Sequence, residues 1–225
     1  MKKTAFILFG LMTANVQAQE IEIPITESFN EIKVYNKIEA RLIPSSENKI
    51  IAKGVDKEEI EAKVRDKTLK IKSSLDNIWS EDDTMVEIYY TSAKIIDANE
   101  GSNVISHKKI SQENLTLSAQ EGSRIALELE VENLESKIYT GGTIKVWGNA
   151  STQEAVIKAG GEYNAEELRT EDTDVKISAG GIATIYASNS CKAKVSAGGT
   201  ITIHGNPSTI EKKTTLGGNI IEKKE

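Results

Sequence analysis

The residues of this chain whose types could do chemistry are few: His107 and His204, the lone Cys191, and an acidic stretch at residues 162–174. A metal centre needs three or four ligands at close spacing, and the two histidines stand far apart with nothing to pair either one with Cys191. The stretch "SNSCKAK" offers no histidine as a base, so Cys191 reads as a small buried hydrophobe rather than a nucleophile. Paired carboxylates for acid–base work on a sugar would stand at one column of neighbouring repeats. Glu162, Glu166, Glu167, Glu171, Asp172 and Asp174 form the dense cluster, "TEDTD" within it reads as a solvated turn, and no second acidic column is found one repeat away. No catalytic, cofactor-binding or metal-binding residue is therefore assigned. The sequence has no Gly-x-Ser-x-Gly elbow, no Lys-Ser/Thr after a glycine pair and no G-G-x-G-x-D calcium repeat. The "SEDD" at residues 80–83 lacks a calcium-loop register and reads as a turn.

The elements that would position any such group begin after a leader. "MKK" is a short basic start, "TAFILFGLMTA" an apolar run too short to span a bilayer, and "VQA" a small-x-small cleavage site, so residues 1–18 read as a signal peptide. Removing Lys2 and Lys3 leaves 26 basic against 34 acidic residues over 19–225, a formal charge of −8. That balance argues against nucleic acid and anionic membranes as partners. A single cysteine excludes an intramolecular disulfide framework, so core packing and backbone pairing must hold the exported chain together.

A glycine pair or Gly-Ser recurs at Gly101, Gly122, Gly141, Gly160, Gly180, Gly198 and Gly217, with gaps of 21, 19, 19, 20, 18 and 19 residues. Apolar residues follow in columns. Val104, Ile125, Ile144, Tyr163, Ala183, Ile201 and Ile220 form one, and Leu127, Val146, Ala165, Ile185 and Ile203 another, separated by mostly polar or small residues. Period-two alternation marks strands with one buried face. A unit of about 19 residues cannot bury that face alone, whereas stacked units share a continuous core and pair every backbone group. The expected fold is all-β, a single parallel β-solenoid over 19–225 with coils of about 19–20 residues cornered at the glycines. Residues 19–98 read as less regular leading strands and coils, 99–221 as the glycine-cornered repeats, and 222–225, "EKKE", as a charged tail that stops the stack.

One outward column combines large amphipathic side chains: His107, Glu128, Trp147, Glu166, Tyr186 and His204, with Lys145, Asn164, Thr184 and Thr202 two residues earlier. Aromatic rings flanked by hydrogen-bonding groups suit stacking on a sugar or docking a protein strand. Covering strand edges is the other use such residues find. Trp147, Tyr186, His204, Lys145, Glu128 and Glu166 are the candidate binding face.

"FNEIKVYNKIEARLIPSS" followed by serial "EGSNV", "EGSRI", "GGTIKVWGNA", "AGGEY", "SAGGIATIYA" and "SAGGTITIHGNP" resembles the auto-transporter adhesin, head GIN domain, family of exported bacterial proteins. The resemblance runs from about Phe29 to Gly218 and implies a right-handed single-stranded β-helix. It carries over no functional residue, and this chain departs from many relatives in preferring Gly-Gly at the corner. The resulting expectation is a non-enzymatic interaction module of the cell envelope, periplasmic or at the surface, binding a glycan or an envelope protein. An enzyme acting on polysaccharides and a structural, self-associating protein are the alternatives.

Overall fold

The computed structural model describes residues 20–74 and 84–223. The expected signal peptide, the "SEDD" turn and the last two residues of the charged tail lie outside them. Nineteen strands follow one another. They are β1 (Ile21–Ile23), β2 (Glu31–Val34), β3 (Glu39–Pro44), β4 (Lys49–Lys53), β5 (Ile60–Arg65), β6 (Thr68–Ser73), β7 (Met85–Tyr90), β8 (Ile95–Ala98), β9 (Asn103–Ser106) and β10 (Ile110–Ala119). Then come β11 (Arg124–Ile138), β12 (Thr143–Lys158), β13 (Glu162–Ala165), β14 (Leu168–Ser178), β15 (Ile182–Tyr186), β16 (Ser190–Ser196), β17 (Thr200–His204), β18 (Thr209–Thr215) and β19 (Asn219–Glu222).

Parallel pairing from coil to coil builds the expected solenoid. One side stacks β10, β11, β12, β14, β16 and β18, the strand segments that precede each glycine. The other side stacks β9, β11, β12, β13, β15, β17 and β19, the segments that follow it. β11 and β12 serve both sides because the chain bends through them without leaving extended geometry, and pairing skips Glu113, Glu132 and Ser151 at that bend. The apolar column predicted after the glycines stands in strict register: Ile125, Ile144, Tyr163, Ala183, Ile201 and Ile220 lie one above another. All but the last are buried, so each side chain rests on the next in a dry column.

The corners at Gly101, Gly122 and Gly141 are type I′ turns, whereas at Gly180, Gly198 and Gly217 the second glycine also takes positive φ, at 123°, 112° and 121°. A non-glycine residue and the first glycine both take positive φ, as at Glu121 (57°) and Gly122 (73°) or Thr140 (47°) and Gly141 (73°). The turns at Gly101, Gly122 and Gly141 close on a backbone bond, Ser102 N–H to Asn99 O at 3.0 Å, Ser123 N–H to Gln120 O at 3.1 Å and Gly142 N–H to Tyr139 O at 2.9 Å. The residue after the first glycine trades volume with the coil beneath. Ser123 lies over Ala98 and donates its hydroxyl to the Ala98 carbonyl at 2.6 Å. At Gly161 the residue beneath is Ile138, and a Cβ there would meet Ile138 Cγ2 at 2.5 Å. Serine thus fits over Ala98 and glycine over Ile138, while at Gly142 a Cβ would meet the Ala119 carbonyl oxygen at 2.2 Å, so backbone approach sets the choice there.

Before Gly101 the layer order departs from the chain order. β2 pairs with β6 on one edge and β8 on the other, and β3 likewise with β7 and β9. The layer made by β6 and β7 is therefore outermost, and the earlier β2–β3 layer sits inside it. The corner of that inner layer has no glycine: Asn36 and Lys37 both stand at φ 59°. Antiparallel strands cover the outer edge, with β5 on β6, β4 on β7 and β1 on β4. At the opposite end, Lys212 takes the column of Ala193 and Glu222 that of Ile203. Their side chains pair with one another where the apolar bore ends. Inward-pointing charge of this kind opposes further stacking.

A polar knot interrupts the core. Gln153 occupies the column of Leu134, and Thr173 follows it one coil on. Tyr163 donates its hydroxyl to Gln153 Oε1 at 2.9 Å, and Gln153 Nε2 donates to Thr170 Oγ1 at 2.8 Å and to the Tyr186 carbonyl at 3.0 Å. Thr173 Oγ1 donates to the same carbonyl at 2.9 Å. Buried polar groups that find each other in this way avoid the cost of about 1–3 kcal/mol for each one left unpaired. Cys191 lies next in this column, fully enclosed, and burial pushes its thiol up to about 12, with Asp174 and Glu222 adding to the shift.

Two outcomes follow from this packing. Gly161→Ser costs about 1–3 kcal/mol by overpacking, and Ile138→Ala costs about 2–5 kcal/mol through the cavity it leaves. In urea unfolding the double variant falls short of the summed losses by about 1 kcal/mol or more, since each change relieves the other; strict additivity contradicts the volume exchange. Cys191 in the native protein stays unmodified by iodoacetamide at pH 8 over a time in which the urea-unfolded chain is alkylated completely. Rapid native labelling contradicts the buried, protonated thiol.

Candidate functional site

The outward column picked from sequence divides into separate rungs. Glu128 and Trp147 are register partners on β11 and β12, and Tyr186 and His204 are partners on β15 and β17. Between them β13 ends at Ala165, and Glu166 and Glu167 form a turn. Gly148 N–H reaches across to the Glu167 carbonyl at 3.1 Å, which steers the extra residue of this coil outward. Glu166 still approaches the column from the side, its Oε2 3.8 Å from His204 Nε2. His107 falls beyond the end of β9 and is exposed. The neighbouring column is unbroken, running from Ala126 through Lys145, Asn164 and Thr184 to Thr202. Lys145 is exposed, while Trp147, Tyr186 and His204 are half-buried.

Tyr186 is held by Arg169, by Gly205 and through its own carbonyl. The Arg169 guanidinium stands 4.3 Å from its ring centroid, a cation–π contact. The backbone of Gly205 packs so closely on the ring that a Cβ would come within 2.7 Å of it. Its carbonyl is fixed by Gln153, Thr170 and Thr173 of the polar knot. The ring thus borders a groove of about 390 Å³ that also takes in Glu130, Asn149, Arg169 and Ser188. Asn149 Nδ2 donates to Glu130 Oε2 at 3.1 Å, and Lys109 pairs with the same carboxylate at 3.1 Å.

On the other side of the bend the structure reveals an acidic column that corrects the sequence reading. Thr116, Glu135, Glu154, Asp174 and Lys192 are register partners on consecutive coils. Each stands six residues before its corner glycine, so counting further back from the glycines exposes them. Counting from the dense acidic cluster hid them, because the coil lengths change there. Like charges one coil apart repel, and two lysines of the next outward column answer this. Lys137 Nζ lies 2.8 Å from Glu135, and Lys176 Nζ bridges Glu154 at 3.1 Å and Asp174 at 3.2 Å. These pairs are largely exposed and each contributes at most about 1 kcal/mol.

A second ladder runs parallel to the acids, eight residues before each glycine: Asn114, Asn133, Thr152, Asp172 and Ser190. It is hydrogen-bonded in two runs, Asn114 to Thr152 and Asp172 to Ser190. Asn133 Nδ2 donates to Asn114 Oδ1 at 3.0 Å, Thr152 Oγ1 to Asn133 Oδ1 at 2.9 Å, and Ser190 Oγ to Asp172 Oδ1 at 2.6 Å. The bonds from Ser190 and Asn189 hold the Asp172 carboxyl below the usual carboxylate range, so it remains an acceptor. Between the two ladders lies an open groove of about 460 Å³ running along the stack. Ionised carboxylates, amides and hydroxyls at one-coil intervals equip it to hydrogen-bond an extended polar ligand. Among the described residues, no three His, Cys, Asp or Glu side chains are grouped to hold a metal ion, and no helix is long and apolar enough to cross a membrane.

Known folds match this architecture closely. The chain is similar to the crystal structure of a putative adhesin from Bacteroides fragilis NCTC 9343, with a TM-score of 0.81 and 19% identity over 92% of this chain and 98% of that one. A putative adhesin from Parabacteroides merdae ATCC 43184 is similar with a TM-score of 0.70 and 20% identity over 93% and 98% of the two chains. A protein called a putative lipid binding protein, from Parabacteroides distasonis ATCC 8503, gives 0.68 and 16% over 93% and 98%. At such identities the likeness concerns the fold. No curated protein matches the chain. The family described as "Putative auto-transporter adhesin, head GIN domain" matches residues 28–207, through every coil described above except the last, and the chain belongs to that family.

Proposed function

We propose that this protein is an exported, non-enzymatic interaction module of the bacterial cell envelope that binds a glycan or an envelope protein through the outer faces of its solenoid. The observation that carries the reading is the pair of axial grooves flanking the bend, each lined by side chains fixed in coil register. A rigid scaffold presenting hydrogen-bonding groups and the pinned Tyr186 ring lowers the ordering cost of binding an extended partner. The adhesin name of the family and the basic, apolar, small order of residues 1–18 agree with a role outside the cytoplasm. No cofactor enters the proposal.

The acidic column gives the enzymatic alternative its one specific support, since stacked carboxylates are the raw material of glycoside hydrolysis. Lys176 clamps two of those acids, and Asp172 in the adjoining ladder is stabilised as a carboxylate, which favours holding a ligand over donating a proton to one. The self-associating alternative meets the Lys212–Glu222 pair at the end of the bore.

Co-sedimentation of residues 19–225 with isolated cell envelopes tests the proposal. Trp147→Ala combined with Tyr186→Ala weakens that binding by roughly tenfold, the scale of two lost aromatic contacts, while circular dichroism and the unfolding midpoint stay close to those of the parent. Full binding by a folded double variant removes the Trp147–Tyr186 face from the interaction.

A further inference from the structure

The groove between the Asn114–Ser190 and Thr116–Lys192 ladders lies on the opposite side of the bend from Trp147 and Tyr186. We infer that it is a track for a linear, uncharged glycan laid along the solenoid axis, one sugar unit to each coil. The inference rests on the binding-module reading and adds to it a second surface with its own ligand class.

Three observations carry it. The first is the period of the lining. Each coil contributes one amide, hydroxyl or carboxylate from either ladder, at the inter-strand spacing of roughly 4.8 Å. An extended β-1,4-linked chain advances one hexose over about the same distance, with successive units turned over so that like edges meet every second coil, whereas same-side residues of an extended peptide repeat at about 6.6–6.8 Å and drift out of step within two coils.

The second is the chemistry. Glu135, Glu154, Asp172 and Asp174 offer acceptors to the vicinal hydroxyls of a sugar; Asn133 keeps one N–H donor and one acceptor lone pair, and Thr152, whose hydroxyl hydrogen goes to Asn133, keeps acceptor capacity. Set against Lys192 and the paired Lys137 and Lys176, these four carboxylates leave one negative charge in excess, with Asp172 the carboxylate that no lysine pairs, and that excess disfavours a uronic or sulfated chain. The third is preorganisation. The bonds between ladder rungs, and the Lys137 and Lys176 pairs behind the acids, hold these groups in place before any ligand arrives.

The test is titration of residues 19–225 with soluble cellooligosaccharides of two to six units, by calorimetry and by amide chemical-shift mapping. Affinity rises with length and levels off near five units, because the ladder from Asn114 to Ser190 spans five coils. Shifts centre on Asn133, Thr152, Glu154 and Asp172. Asn133→Ala with Thr152→Ala weakens binding by about tenfold or more without moving the unfolding midpoint, and Trp147→Ala with Tyr186→Ala leaves it unchanged. Hexagalacturonate and an extended polar peptide of similar length bind at least about tenfold more weakly than cellohexaose. The inference is overturned if cellohexaose fails to bind, if its shifts fall around Trp147 and Tyr186, if length has no effect, or if the acidic chain or the peptide binds as well. Each of these results leaves envelope binding through the Trp147–Tyr186 face standing on its own test.

Discussion

Everything in this protein depends on backbone hydrogen bonding between coils. Parallel pairing fixes the rise from one coil to the next at roughly 4.8 Å and forbids a change of register without loss of the ladder bonds. A residue type chosen once is therefore placed directly above its counterpart, inside and outside alike. Inside, that rule turns scattered isoleucines and valines into columns without gaps. Outside, it turns single asparagines, threonines and glutamates into ladders, so the recognition surface is a by-product of the same periodicity that packs the core.

The rule also explains which parts of the architecture were legible in the amino-acid sequence. Gly101 to Gly217 stand out because their corners need positive φ at two or three successive residues, and the columns read from those glycines are the columns found. Asn36 and Lys37 make the same corner without glycine, so that layer carries no glycine mark in the sequence. The insertion of β2 between β6 and β8 is a long-range pairing, and nothing local in "EIKVYNK" announces it. The acids of the groove escaped because repeat length varies by a residue or two. Counting from the glycine corner rather than by a fixed period recovers Glu135, Glu154 and Asp174 together. Gln153 was invisible for a different reason: a polar residue in an apolar column makes sense only once Tyr163, Thr170 and Thr173 are seen to converge on it.

That convergence links the core to the surface. The Tyr186 carbonyl accepts from Gln153 and Thr173, while the ring of the same residue lies between Arg169 and Gly205 on the outside. A purely apolar core at this level would leave the end of β15 anchored by ladder bonds alone, just where the coil length changes. Conformational specificity, rather than net stability, is the more natural return on a satisfied buried network.

The inverted layer order at the amino-terminal end sets the sequence of events by which the molecule can form. β2 and β3 come early in the chain, yet their partners on the two edges lie in β6 to β9, so the β2–β3 layer is not paired on both edges until Ser106 is available. From there the problem becomes simple, because each later coil docks on an edge already built and closes a loop of only about 19 residues. The protein therefore has a slow, topologically demanding seed and a rapid, polymer-like extension. A chain emerging amino terminus first grows outward from that seed in one direction, and the Lys212–Glu222 pair marks the rung at which growth stops.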